Sequence, residues 1–340
     1  MREPAFWWDP DGGRWWLSPI SGVYGMAAAL RMRSAGRRAG VPVICLGNLT
    51  VGGAGKTPAA LEVGRILLAA HERPYFLTRG YGGRLAGPVR VDPARHTADA
   101  VGDEPLLLAR LAPTIVSRNR VAGAEAARRD GATVIVMDDG FQNPSLTKDL
   151  AVLLVDGRRG IGNGRVFPAG PLRAPLEAQI EFAHAIIVVG PADGASAVIE
   201  AAHRHGVAVF HAGIEPDRAT IAAVGRRPVL AFAGIGNPDK FFATLLEAGI
   251  AIAERLSFPD HHRYTASDAR ALLKRADAEN VMLLTTEKDA VRLNGHRRLT
   301  ALASRANTLP VRLAVTEAGA FQAMILNVFA QRGGGASTPR

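Results

Sequence analysis

Short, continuous apolar runs alternate along the chain with segments whose apolar positions recur every three or four residues. The runs are rich in Val, Ile and Leu, which is typical of strands buried on both faces of a sheet. We predict strands at 42–49, 75–78, 114–116, 133–137, 150–155 and 185–189, and helices between them at 58–70, 104–111 and 121–129. Strands that alternate with helices usually pair in parallel. The pattern therefore predicts an α/β fold, with a mostly parallel sheet and helices on both faces.

The same alternation resumes on a smaller scale after residue 228. Strands are predicted at 229–233, 251–256 and 281–285, and helices at 239–247, 267–277 and 318–331. Together these patterns divide the chain into five parts. They are an N-terminal segment (1–38), a core (39–225), a smaller C-terminal α/β domain (226–316), a helix expected to return and pack on the core (317–332) and a disordered tail (333–340).

The composition indicates a globular protein with an anionic partner. Of 340 residues, 48% are hydrophobic, and 41 Lys and Arg against 31 Asp and Glu give a formal net charge of +10. Such a charge favours nucleic acid, an acidic membrane surface or a phosphorylated substrate. Because Cys45 is the single cysteine, a disulfide framework and a cysteine metal site are excluded. No secretory signal is predicted, and no apolar run reaches the ~18–20 residues that span a bilayer.

The N-terminal segment has an unusual distribution of aromatic residues. All four tryptophans lie among its first sixteen residues, at Trp7, Trp8, Trp15 and Trp16. A mostly small and apolar stretch follows at 17–30, and then come Arg31, Arg33, Arg37 and Arg38. Tryptophan prefers the membrane–water interface, and arginines favour anionic headgroups. The pattern predicts that residues 1–38 associate peripherally with a membrane, although the aromatic rings could instead pack on the protein itself.

A glycine-rich segment directly after the first predicted strand carries the clearest chemistry. It reads Thr50-Val51-Gly52-Gly53-Ala54-Gly55-Lys56-Thr57. Glycines allow backbone N–H groups to face phosphate oxygens, Lys56 can reach the β- and γ-phosphates, and Thr57 can hold Mg²⁺. The helix that follows directs its positive end at the same anion. The segment predicts a nucleotide site on a P-loop NTPase-like core, although the usual pattern has glycine where this chain has Thr50.

Two adjacent carboxylates complete a candidate metal site. Asp138 and Asp139 end the predicted strand at 133–137. In a P-loop fold this strand lies near the phosphate loop, so one carboxylate can reach the Mg²⁺ held by Thr57. Which of the two binds the metal stays open, and the other would position a water or a side chain.

Several loop residues are candidates for binding a phosphorylated acceptor. Glycine- or proline-flanked arginines at strand ends can hold phosphate through bidentate bonds. The candidates are Arg79 and Tyr81 in one turn, Arg118 and Arg120 in another, and Arg173 after Pro171-Leu172. Two possible catalytic groups stand apart from them. Asp103 lies at a predicted helix start, where it could also be a cap, and His261 follows Asp260 in the smaller domain.

Seven short motifs, taken together, resemble the tetraacyldisaccharide 4′-kinases, also called lipid A 4′-kinases. They occur in matching order between residues 5 and 290, and Asp-Asp-Gly-Phe-Gln and Thr-Arg-Gly-Tyr-Gly are the most specific. The motifs are Asn48–Pro58, Thr78–Gly82, Gly102–Pro105, Asp138–Gln142, Pro171–Arg173, Phe258–His261 and Thr285–Asp289. The resemblance makes residues 39–225 a P-loop kinase core.

The resemblance implies a reaction, a substrate and a location. The reaction is ATP- and Mg²⁺-dependent phosphorylation of the 4′-hydroxyl of tetraacyldisaccharide 1-phosphate, an anionic glycolipid precursor of lipid A. The location is the cytoplasmic face of the bacterial inner membrane. In the family, the residues matching Asp103 and His261 pair to activate the hydroxyl, and Lys56 acts on the phosphates. One departure is Ala174, where the family often has Glu, so a metal or positioning role for that glutamate is in doubt here.

Two other functions fit the sequence less well. A regulatory P-loop NTPase or metallochaperone-type GTPase would often carry lysine where this chain has Val51. It would also need an Asn/Thr-Lys-x-Asp motif, which Thr286-Glu287-Lys288-Asp289 does not match. A nucleic-acid-binding protein is disfavoured because its basic residues would be interleaved with aromatics, whereas here the tryptophans cluster at one end.

Overall fold

Within the residues that the structure describes, the strands form two sheets. The computed structural model describes residues 3–9, 11–12 and 14–333. The strands, in chain order, are β1 (Val43–Asn48), β2 (Pro74–Thr78), β3 (Val89–Arg90), β4 (Thr114–Val116), β5 (Val134–Asp138), β6 (Leu150–Asp156), β7 (Ala185–Val189), β8 (Ala208–Pro216), β9 (Val229–Ala233), β10 (Ile252–Ser257), β11 (Met282–Thr286), β12 (Ala306–Leu309) and β13 (Val311–Val315).

Helices connect most of these strands. The α-helices are α1 (Ser18–Met32), α2 (Lys56–Ala69), α3 (Ala98–Val101), α4 (Asp103–Leu108), α5 (Arg120–Arg129), α6 (Leu176–Ile180), α7 (Ser196–Arg204), α8 (Arg218–Val224), α9 (Pro238–Glu247), α10 (Ala266–Glu279), α11 (Glu287–Leu293), α12 (Thr300–Arg305) and α13 (Ala318–Gly333). Short 3₁₀ helices lie at Ala5–Trp7, Trp15–Leu17 and Arg297–Leu299.

The large sheet confirms the predicted α/β class. Its nine strands run in the order β13-β8-β7-β6-β1-β5-β2-β4-β3, and all pairs are parallel except those made by the edge strands β3 and β13. Strand β1 is central, and its side chains alternate between two cores. Val43 and Cys45 enter one core, whereas Ile44 and Leu46 enter the other. Burial on both faces explains why these strands read as continuous apolar runs.

The small sheet contains four parallel strands in the order β10-β9-β11-β12. Strand β13, which the sequence division assigned to the smaller domain (226–316), pairs antiparallel with β8 of the large sheet instead. The predicted domain boundary at residue 316 is therefore wrong, because the small sheet ends at Leu309. Only Pro310 separates β12 from β13, and proline cannot donate to a ladder, so the chain leaves one sheet and joins the other.

The final helix packs into the large-sheet core. Phe321, Ile325 and Val328 of α13 are buried in the same cluster as strand β8, and the Phe321 and Phe210 rings lie 5.3 Å apart. The helix includes Gly333, and the rest of the predicted disordered tail, residues 334–340, lies outside the described residues.

Helix α1 has one face on the protein and one face exposed. On the buried face, the Ser21 hydroxyl donates to Val166 O at 2.8 Å and accepts from Ala169 N at 2.9 Å. Gly25 packs against Pro175. Within the described ranges, no helix is long and apolar enough to cross a bilayer.

We expect Phe321→Ala to show that α13 is an integral part of the core. Removing a fully buried ring leaves a cavity, and such changes cost about 3–5 kcal/mol. The measurement is the free energy of unfolding from urea titration, with Leu246→Ala as the control because Leu246 is 49% exposed. Equal, small effects of the two substitutions would contradict the packing of α13.

Candidate active site

The candidate site lies at the edge where the parallel strands of the large sheet end. Strand β1 leads into the glycine-rich loop, and α2 begins at its Lys56. Strand β5, hydrogen-bonded beside β1, ends at Asp138. Ligands of open α/β sheets bind at this edge, because the connecting loops and helix N-termini gather there.

The loop conformation explains the unusual Thr50. Thr50 forms an antiparallel bridge with Leu172, and Val51 N donates to Pro171 O at 2.8 Å. The chain is therefore extended at this point, and an extended residue needs no glycine. The left-handed φ angles of the loop fall instead at Gly52 (108°) and Gly55 (89°). A Cβ atom on Gly52 would also lie 2.2 Å from Glu3 Oε1, so the Glu3 carboxylate would have to move, and the left-handed φ would strain any larger residue at position 52.

Side chains fix the backbone that leads into the loop. Three consecutive carbonyls accept hydrogen bonds from long polar side chains of distant segments. The bonds are Gln142 Nε2 to Asn48 O at 2.9 Å, Gln179 Nε2 to Leu49 O at 3.2 Å and Arg173 Nε to Thr50 O at 3.1 Å. Ala174, which stands where the related kinases often have Glu, is fully buried, and its carbonyl accepts from Gln179 Nε2 at 2.7 Å. That position supplies a backbone contact in this chain.

Asp139 joins the loop lysine to Arg173. Its Oδ1 lies 3.4 Å from Lys56 Nζ and 2.9 Å from Arg173 Nη1. Burial favours the neutral acid, but Lys56 and Arg173 outweigh it and lower the pKa of Asp139 to about 2. Asp139 therefore acts on the side chains around the phosphate loop and holds Lys56 in place.

Asp138 has a different environment from its neighbour. It is fully buried, and neither carboxylate oxygen has a hydrogen-bond partner among the residues that the structure describes. Burial and the nearby charge of Glu104 raise the pKa of Asp138 to about 7. A buried, unpartnered carboxylate is costly unless a ligand completes it, and carboxylate oxygens suit Mg²⁺. The residues therefore fit a metal held by Asp138 and Thr57, with Asp139 already engaged elsewhere.

The two candidate catalytic groups meet across the two sheets. Asp103 begins α4 beside the large sheet, and His261 follows β10 of the small sheet. The distance from His261 Nδ1 to Asp103 Oδ2 is 3.3 Å. Because a carboxylate only accepts, Nδ1 carries the hydrogen, and Nε2, which lies 3.8 Å from Asp260 Oδ2, keeps a lone pair. The bond to Asp103 raises the pKa of His261 more than burial lowers it.

Two cationic residues that were given no role in the sequence analysis also lie at this pair, Arg292 on Asp103 and Lys288 on the neighbouring Glu104. Arg292 Nε donates to Asp103 Oδ2 at 2.8 Å, and Lys288 Nζ donates to Glu104 Oε1 at 2.7 Å. Burial favours neutral Asp103, but His261, Arg292 and Lys288 hold its pKa well below the usual range. Both cations lie on α11. Lys288 belongs to the Thr285–Asp289 motif and Arg292 lies three residues beyond it, so this motif was the sequence feature that could have pointed to them.

The candidate acceptor-binding residues divide into two groups. The Tyr81 ring is 68% exposed and lies 5.1 Å from the His261 ring, while Arg79 and Arg118 are exposed at the ends of β2 and β4. Arg120, in contrast, is 3% exposed and donates to the carbonyls of Ser117 and Asp139 at 2.7 and 3.3 Å. Arg120 therefore supports the loop backbone, and an acceptor phosphate would have to displace those bonds to reach it.

Together the fold and the site define an enzyme of the P-loop phosphoryl-transfer class. The phosphate loop and the candidate metal carboxylate lie at one edge of the large sheet, and a histidine that follows a strand of the small sheet faces Asp103. Phosphoryl transfer to a hydroxyl needs groups of these kinds.

Comparison with known proteins identifies the family within this class. The family model for tetraacyldisaccharide-1-P 4′-kinase (LpxK) matches residues 13–330. A tetraacyldisaccharide 4′-kinase of Methylobacterium radiotolerans is 54% identical over 96% of this chain and 98% of its own, and one of Bradyrhizobium sp. (strain BTAi1) is 50% identical over 96% and 94%. The chain belongs to the tetraacyldisaccharide-1-P 4′-kinase family, as its motifs predicted.

A solved structure supports the same assignment. The crystal structure of LpxK from Aquifex aeolicus in complex with ATP is similar with a TM-score of 0.71 and 26% identity, covering 92% of this chain and 98% of that one. The alternative of a regulatory NTPase or metallochaperone-type GTPase is not favoured by these matches.

The contrast between the two aspartates predicts opposite effects on stability. At pH 8, above its pKa, Asp138 carries an unpartnered charge in the metal-free protein. Asp138→Asn should therefore leave the free energy of unfolding unchanged or raise it by up to ~1–2 kcal/mol. Asp139→Asn removes the partner of Lys56 and Arg173 and should lower it by roughly 1–2 kcal/mol.

Urea unfolding without nucleotide or Mg²⁺ measures both variants. If Asp138→Asn proves the more destabilising of the two, Asp138 has a structural partner and the proposed metal position is wrong.

Proposed function

We propose that this chain transfers the γ-phosphoryl group of ATP to the 4′-hydroxyl of tetraacyldisaccharide 1-phosphate, a step of lipid A biosynthesis. The observation that carries the proposal is the Asp103–His261 pair, which is assembled from both sheets. Burial raises the pKa of the neighbouring Glu104, but the charges of Lys288 and of Lys56 in the phosphate loop lower it overall. Membership of the family supplies the substrate class.

The phosphate loop is the proposed ATP site. Residues 50–57 would hold the triphosphate through backbone N–H groups of the glycine-rich turn and the positive end of α2, whereas Val51 N is already bonded to Pro171 O. Lys56 is 9% exposed and is held by Asp139, so it is ordered before ATP arrives. The Aquifex aeolicus LpxK structure, which is 26% identical with a TM-score of 0.71, is a complex with ATP and supports this assignment. Mg²⁺ on Asp138 and Thr57 would neutralise charge on the phosphates.

His261 is the proposed general base. Its free Nε2 takes the proton of the acceptor hydroxyl, and the buried, ionised Asp103 then stabilises the imidazolium that forms. Tyr81, whose ring contacts His261, and the exposed Arg79 and Arg118 line the approach of the anionic disaccharide. Arg173 bonds Thr50 O and Asp139 Oδ1, so it orders the loop in addition to its proposed role in binding phosphate.

A membrane-facing surface would bring this site to an acylated substrate. We define the apolar stripe as Trp15, Trp16, Ile20, Val23, Met26 and Leu30, which are 54–80% exposed. Exposed large apolar side chains that recur along one helix face mark an interaction surface. Exposed Arg31, Arg33, Arg37 and Arg38 follow the stripe and suit anionic headgroups. We therefore place the chain peripherally on the cytoplasmic face of the bacterial inner membrane.

Trp7 does not belong to this surface. It is 5% exposed, its Nε1 donates to Pro168 O at 3.0 Å and its ring lies 6.0 Å from that of Phe167. The two interpretations of the tryptophans thus apply to different residues. Trp7 packs on the protein, whereas Trp15 and Trp16 point to the membrane.

The decisive experiment is transfer of labelled γ-phosphate from ATP to purified tetraacyldisaccharide 1-phosphate in mixed micelles. Lys56→Ala is the control, and we expect at least a 100-fold loss of turnover from a loop that can no longer neutralise the transferred group. Labelling of a nucleoside or a protein instead of the glycolipid, or release of phosphate alone, would overturn the proposal.

If Asp103 and His261 act as one pair, their substitutions should lower kcat in a non-additive way. Asp103→Ala and His261→Ala should each lower kcat by about 100-fold or more, and the double variant should lose little beyond either single variant, because the two residues act as one unit. Steady-state kinetics at saturating ATP measure this. Losses that multiply would show that Asp103 and His261 act independently.

The stripe predicts how the chain binds membranes. Changing Trp15, Trp16, Ile20 and Val23 to Ser removes exposed apolar area without touching the buried face of α1, and we expect vesicle binding to weaken by at least about tenfold. Co-sedimentation with phosphatidylglycerol-containing vesicles measures it, and Leu246→Ser, on an exposed surface of the small sheet's helices, is the control. Unchanged binding would move the membrane surface elsewhere.

A further inference from the structure

Arg292 occupies an unusual position between the candidate base and its carboxylate. Its side chain is 6% exposed, and both Nε and Nη2 bond the same oxygen of Asp103, Oδ2. That oxygen is also the one that faces His261 Nδ1. Arg292 Nη2 lies 3.5 Å from His261 Nδ1. One carboxylate oxygen is therefore shared between a permanent cation and an imidazole.

The Gly234 peptide fixes Arg292 and His261 relative to each other. Gly234 O accepts from Arg292 Nη1 at 2.5 Å and from His261 N at 3.0 Å. Gly234 N in turn donates to Asp289, which also accepts from Arg292 Nη1 at 2.9 Å. The arginine and the histidine thus belong to one bonded unit at the end of β9, and both reach Asp103 from the small sheet.

Charge balance shows what this arrangement does. Asp103 is 3% exposed, and a buried carboxylate requires a cation nearby. Lys288 is bonded to Glu104 and acts on Asp103 through its charge alone. Without Arg292, the ion pair left to Asp103 among the described side chains would be the one with His261, which requires a protonated imidazole. With Arg292 present, Asp103 is neutralised already. The groups that face His261 are Asp103 and Arg292, Asp260 on its own loop, and the Tyr81 ring.

We propose that Arg292 is a positioning residue that shares Asp103 Oδ2 with His261, supplies the positive charge that this buried carboxylate needs and holds the imidazole with Nε2 toward the acceptor hydroxyl. The inference rests on the proposed function, in which His261 is the base. Arg292 touches neither the nucleotide loop nor Tyr81, and it acts through Asp103 and His261 alone. The bond to Asp103 raises the pKa of His261 overall, and the charge of Arg292 acts in the opposite direction.

The test is a titration of His261 by NMR in the full chain labelled at histidine, with His261→Gln used to assign the signal. We expect Arg292→Gln to raise the pKa of His261 by about one unit, because a like charge a few ångströms away has been removed. The acid limb of the kcat/KM profile should move to higher pH by the same amount, since protonated His261 cannot accept a proton. Arg305→Gln, which breaks an exposed pair with Asp277, is the control and should leave both unchanged.

If Arg292→Gln does not fold, Arg292→Lys is tested in its place. It keeps the positive charge but loses some of the guanidinium's bonds to Asp103 and Gly234 O. Its His261 pKa should lie between those of the parent chain and the glutamine variant. A His261 pKa that is unchanged or lower in the variant that folds overturns the inference. The NMR titration needs no turnover, so failure of the proposed function shows separately, as absence of phosphate transfer by the unaltered chain.

Discussion

The burial of the Asp103 carboxylate where the two sheets meet is the constraint on which the site depends. Removing a charge from water costs several kcal/mol, and partners recover that cost only in a favourable geometry. Here the partners come from the small sheet, because Arg292 and His261 both reach one oxygen. A second cross-sheet pair, Lys288 with Glu104, lies beside them. The charge thus requires one mutual placement of the sheets, which is the placement that assembles the candidate base.

Asp138 shows the opposite solution at the same sheet edge. Its carboxylate is as deeply buried, yet the protein supplies no hydrogen bond to it within the described residues. Asp139, one residue later, has a left-handed φ of 54° and turns toward Lys56 and Arg173. The two adjacent residues therefore differ in role. Asp138 is left for a ligand, whereas Asp139 orders the phosphate loop. Unsatisfied groups of this kind persist where function requires them.

The sequence was informative wherever burial was two-sided or a backbone constraint was local. Strands β1, β5 and β7 were predictable because both of their faces are apolar, and the loop was predictable because its glycines are close together in sequence. Strand β8 was missed because its side chains are only partly buried and carry no continuous apolar run. Strand β13 was missed because it forms by pairing with β8, and the sequence around Pro310 does not show that the chain returns there to the large sheet.

The same distinction separates the predicted part of the site from the missed part. Asp103 and His261 could be named from motifs, but Arg292 is one of 41 basic residues, and its contact with Asp103 spans 189 positions. Nothing local marks such a residue. The division of the tryptophans has a related origin, since Trp7 and Trp15 differ in what the fold places beside them.

An acylated acceptor imposes a final requirement on this architecture. In the proposed function the hydrophobic part of the acceptor stays in the bilayer, so the catalytic edge has to lie close to the proposed membrane-facing surface. The N-terminal segment meets that requirement through direct contacts. Glu3 packs against Gly52 of the phosphate loop and accepts from Trp8 Nε1 at 3.0 Å, and α1 continues from the same segment with its apolar stripe exposed. The segment that precedes the apolar stripe therefore contacts the phosphate loop directly, and this contact links the proposed membrane-facing surface to the proposed ATP site.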